Sequence, residues 1–480
     1  MKLLWLVLAL LLINTSRSSV APTANLLTCV TDYDETANVD YFPEKATITR
    51  AETFSVEYFN SYKVLTVSDD FAQSTYILYQ CGTPQPVVAN TTAYIEVPVS
   101  NISTGSSSHI PYIELLDERE SIVAFHGNSS IIGSPCVDEM VASGLVVDAS
   151  YVNEECPSFP IANNEVLEEM RVQVSFGDGN PAVIYCGSSI LSLYNGVGVV
   201  SYAEKGDEPS LKEAEAIKLF SLFYNKETIA TEAYEQVVEL WDCTATNAQG
   251  CSLQLDDVPD VAWFPYVPTL AAYGDFASGW GAPVNGTYYD DAITKAGGRM
   301  IPCESTSQYA LLTDEDMLAC FMDAEICVFS ANFDLVKEVM AEEVWGALEC
   351  VKKGNVYDIY LNDNSWFEAK AVEPHVLLED LIVVLHGEET NYGIGNYERL
   401  LLRHVATEEV NSGSYFVNKG VCDDISAPLE IQGECTLIID FTTCETSSAA
   451  RPSPLDLSAS ALAVSIVLAA ATVSITAFLA

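Results

Sequence analysis

Four predicted strands are followed by side chains that are suited to binding a ligand. Aromatic rings can stack on a flat ligand or lie beneath a cation, and phenolate oxygens are hard donors for a trivalent metal ion. A histidine or a carboxylate could contact a metal or balance a charge on the ligand. In chain order, the candidates are His109, Tyr202, Glu204, Trp280, Tyr288, Trp366 and Glu368.

Each candidate region also has an interpretation that requires no ligand. Ser107 or Ser108, before an apolar helix, is a good N-cap residue. Tyr202 and Glu204 could belong to a solvated loop, whereas Tyr288 could pack in a core and Trp366 could fill an interface between two lobes. The sequence leaves both interpretations open at all four positions.

The motifs of common enzyme classes do not occur in the chain. There is no GxSxG elbow, no HExxH pair and no P-loop. His375 and His386 lie in or at the end of a predicted apolar helix, where a structural role is the simpler interpretation. A zinc centre would need the distant His109, His126 and His404 to converge. We therefore expect a binding protein and not an enzyme.

The candidate residues are positioned by two predicted α/β units. Residues 41–80 are rich in β-branched and aromatic residues and predict an antiparallel β section. From the YIEVPV run onward, strands and helices alternate, which is typical of a parallel sheet. A long helical section follows, with an apolar residue at every fourth position, and the alternation then resumes. The fold class is therefore α/β, with two α/β lobes whose parallel sheets are joined by a long connector helix. The apolar positions of that helix are Ile229, Ala233, Val237 and Trp241.

Changes in composition predict six segments. They are a signal peptide (1–19), an N-terminal α/β lobe (20–222), the connector helix (223–250), a C-terminal α/β lobe (251–405), a cysteine-containing extension (406–447) and an apolar tail (448–480).

Both ends of the chain resemble targeting signals. Lys2 precedes an apolar run and small residues, as in a secretory signal peptide. The C-terminal apolar run contains no charge after Asp456 and follows small residues, which predicts a GPI-attachment signal with Ser447 as the attachment site. A single-span anchor is the alternative. We therefore expect the protein on the extracellular face of the plasma membrane, held by a lipid.

The charge balance excludes some classes of partner. The chain has 21 basic and 68 acidic residues, giving a formal net charge of −47. Such a chain repels nucleic acid and anionic membrane surfaces. The acidic residues are scattered, so they indicate solubility in a salty medium more strongly than attraction of a cationic ligand.

Cysteines and sequons both agree with secretion. Fourteen cysteines spread from Cys29 to Cys444 predict disulfides. Their connectivity cannot be deduced from spacing, although Cys243 and Cys251 flank a short polar loop that would close easily. Sequons predict surface glycosylation at Asn90, Asn101, Asn128 and Asn285.

An ordered set of segments resembles the periplasmic solute-binding proteins for ferric siderophores, cobalamin and haem. The first segments are VDYFPEKATI, FSVEYFNSYKVLTV and YILYQCGTPQP, followed by SSSHIPYIELLDERESIVAFHG. The last is EEVWGALECVKKGNVYDIYLNDNSWFEAKAVEPHVLLEDLIVVLHGE. The resemblance covers about residues 41–404, and no single motif within it is diagnostic. The sequons, the cysteine number and the GPI-like tail resemble eukaryotic algal cell-surface members more than bacterial ones.

The resemblance implies a function at the cell surface. The chain is expected to capture an iron chelate, a ferric siderophore in particular, and to pass it to an uptake partner. No resident cofactor is expected beyond ferric iron within that chelate. An adhesion or interaction protein that reuses the fold without a small ligand is the alternative. The family's last cleft loop corresponds to Trp366, so Trp366→Ala is expected to weaken chelate binding while leaving the melting temperature nearly unchanged.

Overall fold

The computed structural model describes most of the chain between residues 21 and 444. The described residues are 21–68, 73–152, 160–178, 198–202, 210–253, 258–267, 279–281, 288–303, 312–359, 365–387, 392–394, 397–407, 422, 424–441 and 444. The predicted signal peptide and apolar tail, with Glu204, Asn285 and Ser447, lie outside them. Within the described residues, no helix combines the length and the apolar character needed to cross a bilayer.

A four-stranded sheet opens the fold. Its strands are β1 (Phe54–Tyr58), β2 (Tyr62–Ser68), β3 (Gln73–Gln80) and β4 (Ala93–Val97). β1, β2 and β3 pair antiparallel, and β4 joins β3 in parallel. The YIEVPV run was predicted to begin the parallel sheet of the first lobe, but it forms β4 of this N-terminal sheet.

The first lobe contains a five-stranded parallel sheet in the order β11-β10-β5-β6-β7. Its central strand β5 contains two hydroxyl residues and is only three residues long, so it has no apolar run to reveal it in the sequence. The bounds are β5 (Ile102–Thr104), β6 (Ile122–Phe125), β7 (Val147–Asp148), β8 (Ser150–Val152), β9 (Pro160–Ala162), β10 (Val174–Asp178) and β11 (Gly198–Tyr202), with helices α1 (Ile110–Leu115), α2 (Pro135–Ser143) and α3 (Asn164–Glu169). β8 and β9 form a separate antiparallel pair.

Three helices connect the lobes: α4 (Ser210–Ala214), α5 (Ile217–Tyr224) and α6 (Glu227–Ser252). α5 ends at Tyr224, and the next residue, Asn225, has a φ of 57°, in the left-handed region that asparagine tolerates better than most residues. α6 is therefore a separate helix that begins four residues later than predicted. Val237 and Trp241 are buried as expected, but Ile229 is exposed, so the predicted apolar stripe is wrong at its first position.

The second lobe repeats the parallel architecture. Its sheet has the order β15-β12-β16-β17-β18, and only the β17–β18 pair is antiparallel. The strands are β12 (Asp260–Phe264), β13 (Tyr266–Val267), β14 (Gly279–Trp280), β15 (Arg299–Met300), β16 (Ile326–Phe329), β17 (Val356–Asp358) and β18 (Arg403–His404). The helices are α7 (Tyr288–Lys295), α8 (Asp314–Phe321), α9 (Phe333–Val339), α10 (Glu342–Trp345), α11 (Glu349–Lys353), α12 (Ser365–Val372) and α13 (Pro374–His386). Two parallel sheets and a long connecting helix confirm the predicted fold class.

The structure confirms that the cysteines form disulfides, but it contradicts the one pairing predicted from the sequence. Among the described residues, six pairs are bonded: Cys29–Cys81, Cys136–Cys422, Cys243–Cys435, Cys251–Cys444, Cys303–Cys320 and Cys327–Cys350. The predicted pair Cys243–Cys251 is wrong. Both residues lie on the continuous helix α6, and the polar loop expected between them is helical. Each of them bonds to the C-terminal extension instead.

Candidate functional site

The two lobes meet through the elements that follow the carboxyl ends of their strands. α12 follows β17 of the second lobe and packs against α1, α4 and the 3-10 helix Ser107–His109, which follows β5. In open α/β sheets, ligands bind outside the carboxyl ends of the strands. The region between the lobes is therefore where a ligand site is expected, and α12 lies within it.

His109 connects three parts of the first-lobe edge. Its Nδ1 lies 2.9 Å from the hydroxyl of Thr104, and its Nε2 lies 3.3 Å from the carbonyl oxygen of Tyr202, which makes Nε2 the protonated nitrogen. The ring packs against Phe176, Phe220 and Tyr202 at centroid distances of 6.5, 5.3 and 6.0 Å. Burial lowers the pKa of His109 to about 3, so the ring is neutral at physiological pH.

Trp366 belongs to an aromatic group in the second lobe. Its ring centroid is 5.8 Å from that of Trp263, which in turn stacks on Tyr289 at 4.6 Å. Trp263 Nε1 donates to the hydroxyl of Ser330 at 2.7 Å, directly after β16. Trp366 is only 1% exposed. Its removal would leave a cavity, so the expectation that Trp366→Ala leaves the melting temperature nearly unchanged is not supported.

A buried lysine organises one part of the contact between the lobes. Lys370 of α12 pairs with Glu213 of α4 at 2.9 Å, and both side chains are at most 2% exposed. The Lys370 ammonium lies 5.1 Å from the centre of the Tyr288 ring, and the Tyr288 hydroxyl donates to the Lys370 carbonyl at 2.9 Å. The Tyr112 hydroxyl points between the carbonyls of Glu213 and Ala371, at 2.9 and 3.1 Å. We call Glu213, Lys370, Tyr112 and Tyr288 the lysine cluster.

A second group of buried side chains contains two carboxylates and only one basic residue. Glu114 of α1 accepts from Arg119 Nε at 2.5 Å and from the Ser134 hydroxyl at 2.6 Å. Glu368 of α12 accepts from the backbone N–H of Gly133 at 2.6 Å. Within the described residues, Glu114 Oε2 and Glu368 Oε2 have no hydrogen-bond partner. We call Glu114, Arg119, Ser134 and Glu368 the arginine cluster.

The electrostatics of Glu368 follow from this position. Burial raises its pKa well above the ordinary value, and the nearby Glu114 carboxylate raises it further. The backbone N–H groups of Gly133 and Ser134 act in the opposite direction but do not offset burial. Glu368 is therefore protonated over more of the pH range than an exposed glutamate.

The remaining candidates occupy other environments. Tyr202 and Tyr288 are 3% and 1% exposed and lie at the junction of the lobes, whereas Trp280 packs edge-on against Phe329 in a separate core of the second lobe. The structure thus brings five candidates into the region between the lobes: His109, Tyr202, Tyr288, Trp366 and Glu368. It does not bring Trp280 there, and Glu204 lies outside the described residues.

Several residues of this region were not singled out from the sequence. Trp263 reads as an ordinary core residue of the strand VAWF, and Glu114 and Glu213 read as solvated helix positions. Among these residues, Lys370 is the one whose sequence context is unusual. It is a basic residue two positions after Glu368 in a strongly acidic chain. Its burial depends on the approach of the other lobe, which local sequence does not encode.

A cavity of about 70 Å³ lies near the junction of the lobes, between the end of α1 and residues 425–428, with Asp117, Glu118 and Glu120 in its wall. Ligand pockets typically have volumes of roughly 300 to 1,000 Å³. In the described part of the chain, no group of three or more His, Cys, Asp or Glu residues could hold a metal ion.

Three sequons lie within the described residues. Asn90 is exposed, whereas Asn101 and Asn128 are partly buried. Asn101 Nδ2 donates to the Met170 carbonyl at 3.0 Å, so a glycan on that nitrogen would compete with this bond. Glycosylation at these positions and at Asn285 stays a prediction.

Comparison with known proteins gives similarity at the level of solved structures only. No family model matches the chain, and no curated protein matches its sequence. The chain is similar to a possible iron-binding periplasmic solute-binding protein of Staphylococcus epidermidis, at 13% identity and a TM-score of 0.44, covering 60% of this chain and 99% of that one. A periplasmic heme-binding protein of Pseudomonas aeruginosa gives 14% identity and a TM-score of 0.42, with 60% and 92% covered.

A third similar structure is the siderophore-binding protein BauB, bound to a complex of two acinetobactin molecules and ferric iron. It gives 10% identity and a TM-score of 0.43, with 68% of this chain and 100% of that chain covered. At these identities and TM-scores, the similarities do not by themselves identify what this chain binds.

Proposed function

We propose that this protein is an extracellular solute-binding protein that captures a ferric siderophore or a related iron chelate at the cell surface for uptake. The main support is the meeting of α12 with α1 and the 3-10 helix Ser107–His109, which joins the carboxyl ends of the two parallel sheets. This is the position at which open α/β sheets bind ligands. The segments quoted above for their resemblance to siderophore-binding proteins include these same elements.

The side chains in this region suit a chelate better than a bare metal ion. Aromatic rings from both lobes line it, including Tyr202 and Phe220 on one side and Trp263 and Trp366 on the other. A chelate presents apolar or flat faces around its iron, and such faces gain from aromatic contact. Because these rings touch protein neighbours in this structure, a chelate has to enter beside α12 or displace part of it.

The disulfides support the extracellular part of the proposal. Disulfides persist in oxidising compartments and are rare in the cytosol. The predicted signal peptide and GPI-attachment site at Ser447 point to the same location. Treatment of intact cells with a phosphatidylinositol-specific phospholipase is expected to release the protein. Retention of a chain that still contains the peptide ending at Ala480 would instead indicate a spanning anchor.

A second candidate function is an interaction protein that uses the fold without a small ligand. The observation that favours it is the burial of His109, Tyr288 and Trp366, each at most 1% exposed and packed against protein atoms. Side chains that satisfy one another need no ligand to do so.

Direct binding separates the two functions. The disulfide-bonded protein is titrated with the hydroxamate chelates ferrioxamine B and ferrichrome, and with their iron-free forms as controls, while tryptophan fluorescence is recorded. The proposal expects saturable quenching by at least one ferric form, with a Kd of about 1 μM or tighter, about −8 kcal/mol. If neither chelate binds, and native mass spectrometry of protein from iron-limited cells finds no bound chelate, the interaction function is favoured.

A further inference from the structure

The C-terminal extension follows a path that touches both lobes and the connector. We call residues 422, 424–441 and 444 the strap. At its start, Cys422 is bonded to Cys136 of α2 in the first lobe. Towards its end, Cys435 and Cys444 are bonded to Cys243 and Cys251 of α6. The strap is therefore covalently attached to the first lobe at one end and to the connector at the other.

Hydrogen bonds hold the first half of the strap to the first lobe. Arg119 Nη1 donates to the carbonyls of Ile425 and Ala427, at 2.7 Å each, while its Nε is bound by Glu114. The N–H of Leu429 donates to the Glu114 carbonyl at 3.3 Å, and the Leu429 side chain is buried in the main core. One buried arginine thus fixes the strap to α1 through an ion pair and two backbone carbonyls.

The next residues of the strap are bound to the second lobe. The N–H of Gln432 donates to the carboxylate of Glu373, and the Gln432 carbonyl accepts from His375 Nε2 at 2.7 Å. Gly433 lies against the His375 ring, where an added Cβ would be 3.4 Å from the nearest ring carbon. Glu373 and His375 stand at the beginning of α13, so this anchor belongs to the second-lobe helix that follows α12.

The last part of the strap is bound to the connector. Asn247 Nδ2 donates to the Thr436 carbonyl at 2.9 Å, and the N–H of Ile438 donates to Asn247 Oδ1 at 2.8 Å. Phe441 packs against Gly250, where any Cβ would clash with its ring. Asn247 is fully buried, so the strap covers a polar side chain of α6 that would otherwise need another partner.

We propose that the strap is a clamp that holds the two lobes in one relative orientation. The clamp depends on how few residues of the strap separate the anchor on the first lobe from the anchor on the second. Leu429 is bound to the first lobe and Gln432 to the second, and three residues of extended chain span at most about 10 Å. The disulfides alone would allow far more movement, since more than ten residues separate Cys422 from Cys435. The disulfides keep the strap close to its anchors, at a high local concentration. The short stretch between the hydrogen-bonded anchors limits how far the lobes can move apart.

The clamp gives the extension a role that does not depend on the proposed ligand. Because the lobes cannot separate without breaking anchors on one side, the surface between them is set before any partner arrives. A preorganised surface loses less conformational entropy on binding. The test therefore requires no ligand, and its failure would leave the proposed function untouched.

The decisive variant lengthens the strap without removing any anchor. A Gly-Ser-Gly-Ser insertion between Glu430 and Ile431 keeps every disulfide and every hydrogen-bonding residue. The same insertion between Pro86 and Val87, where Val87 is fully exposed, is the matched control. Hydrogen–deuterium exchange of the oxidised protein, read on peptides covering α1 and α12, reports opening between the lobes.

The clamp predicts that the strap insertion accelerates exchange in both helices by about tenfold or more, while the control insertion does not. Equal exchange in the two insertion variants would overturn the proposal. A second pair of variants covers the case in which the strap insertion prevents folding. Cys136→Ser with Cys422→Ser should accelerate the same peptides, whereas Cys303→Ser with Cys320→Ser, a pair within the second lobe, should not. Acceleration by both pairs, or by neither, would also overturn it.

Discussion

The lysine cluster and the arginine cluster join the same lobes through α12, yet their charges are balanced differently. In the lysine cluster, one ammonium meets one carboxylate, and an aromatic ring lies beneath the cation. In the arginine cluster, one guanidinium meets Glu114, while Glu368 is held by a backbone N–H and faces the Glu114 charge. The second contact therefore depends on a proton at Glu368.

The difference shows two ways in which a buried interface can satisfy carboxylates. A balanced pair depends on keeping both partners, because removing one leaves an uncompensated buried charge. An unbalanced group relieves repulsion by binding a proton and therefore couples stability to pH. The following changes separate these behaviours.

Lys370→Met should have the largest effect. It keeps the apolar stem of the side chain but leaves Glu213 buried without its cation, which costs about 3–5 kcal/mol of unfolding free energy. Urea denaturation at neutral pH measures the loss. Lys353→Met is the control, because Lys353 forms an exposed pair with Glu349 and should change stability by less than about 1 kcal/mol. Equal effects of the two variants would show that the lysine cluster contributes no more than a surface pair.

Arg119→Lys tests geometry at constant charge. A lysine can still pair with Glu114, but it cannot donate to Glu114 and to the carbonyls of Ile425 and Ala427 in the fork that the guanidinium makes. We expect a loss of about 2 kcal/mol, since hydrogen bonds to charged groups are worth about 1.5–3 kcal/mol. An unchanged denaturation midpoint would show that the charge alone is sufficient at this position.

Glu368→Gln tests whether protonation of Glu368 stabilises the folded protein. Because the folded-state pKa of Glu368 is raised, its protonation favours the folded state fully at pH values below the unfolded pKa. That contribution is lost as the pH rises through the folded pKa, where the wild type must place a second charge beside Glu114. Glutamine stays neutral and can still accept from Gly133, so the variant should be the more stable protein at alkaline pH and should not gain this advantage in acid.

Melting temperatures measured from acid to alkaline pH check the direction of this pH dependence. The control is Glu120→Gln, which changes an exposed carboxylate on the segment next to α1. The difference between wild type and Glu368→Gln should widen with rising pH, and the Glu120→Gln curve should run parallel to wild type. A constant difference across the whole range would contradict a titrating Glu368.

Tyr112→Phe should have the smallest effect. It keeps the ring stacked on Phe220 at 5.1 Å and removes only the hydroxyl that lies between the carbonyls of Glu213 and Ala371. The expected loss is about 1 kcal/mol, the typical net value of a neutral hydrogen bond. Urea denaturation again measures it, and a loss as large as that of Lys370→Met would mean that the hydroxyl, more than the ion pair, organises the lysine cluster.

The sequence predicted the fold class because the necessary signals are local. The β-branched and aromatic composition of β1–β3, apolar runs such as those of β12 and β16, and helical periodicity in α6 are each contained within a few residues or turns. The same logic placed Trp366 correctly after a strand, whereas Tyr202 is the last residue of β11 and His109 follows β5, not the YIEVPV run. It failed for β5, because three residues with two hydroxyls carry no strand pattern.

What the sequence determined by itself is therefore the class of the chain. It is an α/β protein with two parallel sheets, rich in cysteine, with aromatic residues after its strands. Only the tertiary structure decided which cysteines pair, because Cys136 and Cys422 are 286 positions apart and spacing cannot rank such partners. It also decided that Trp366, Glu368 and Lys370 are buried. Their exposure depends on how closely the other lobe approaches, and that distance is set by packing between elements far apart in the sequence.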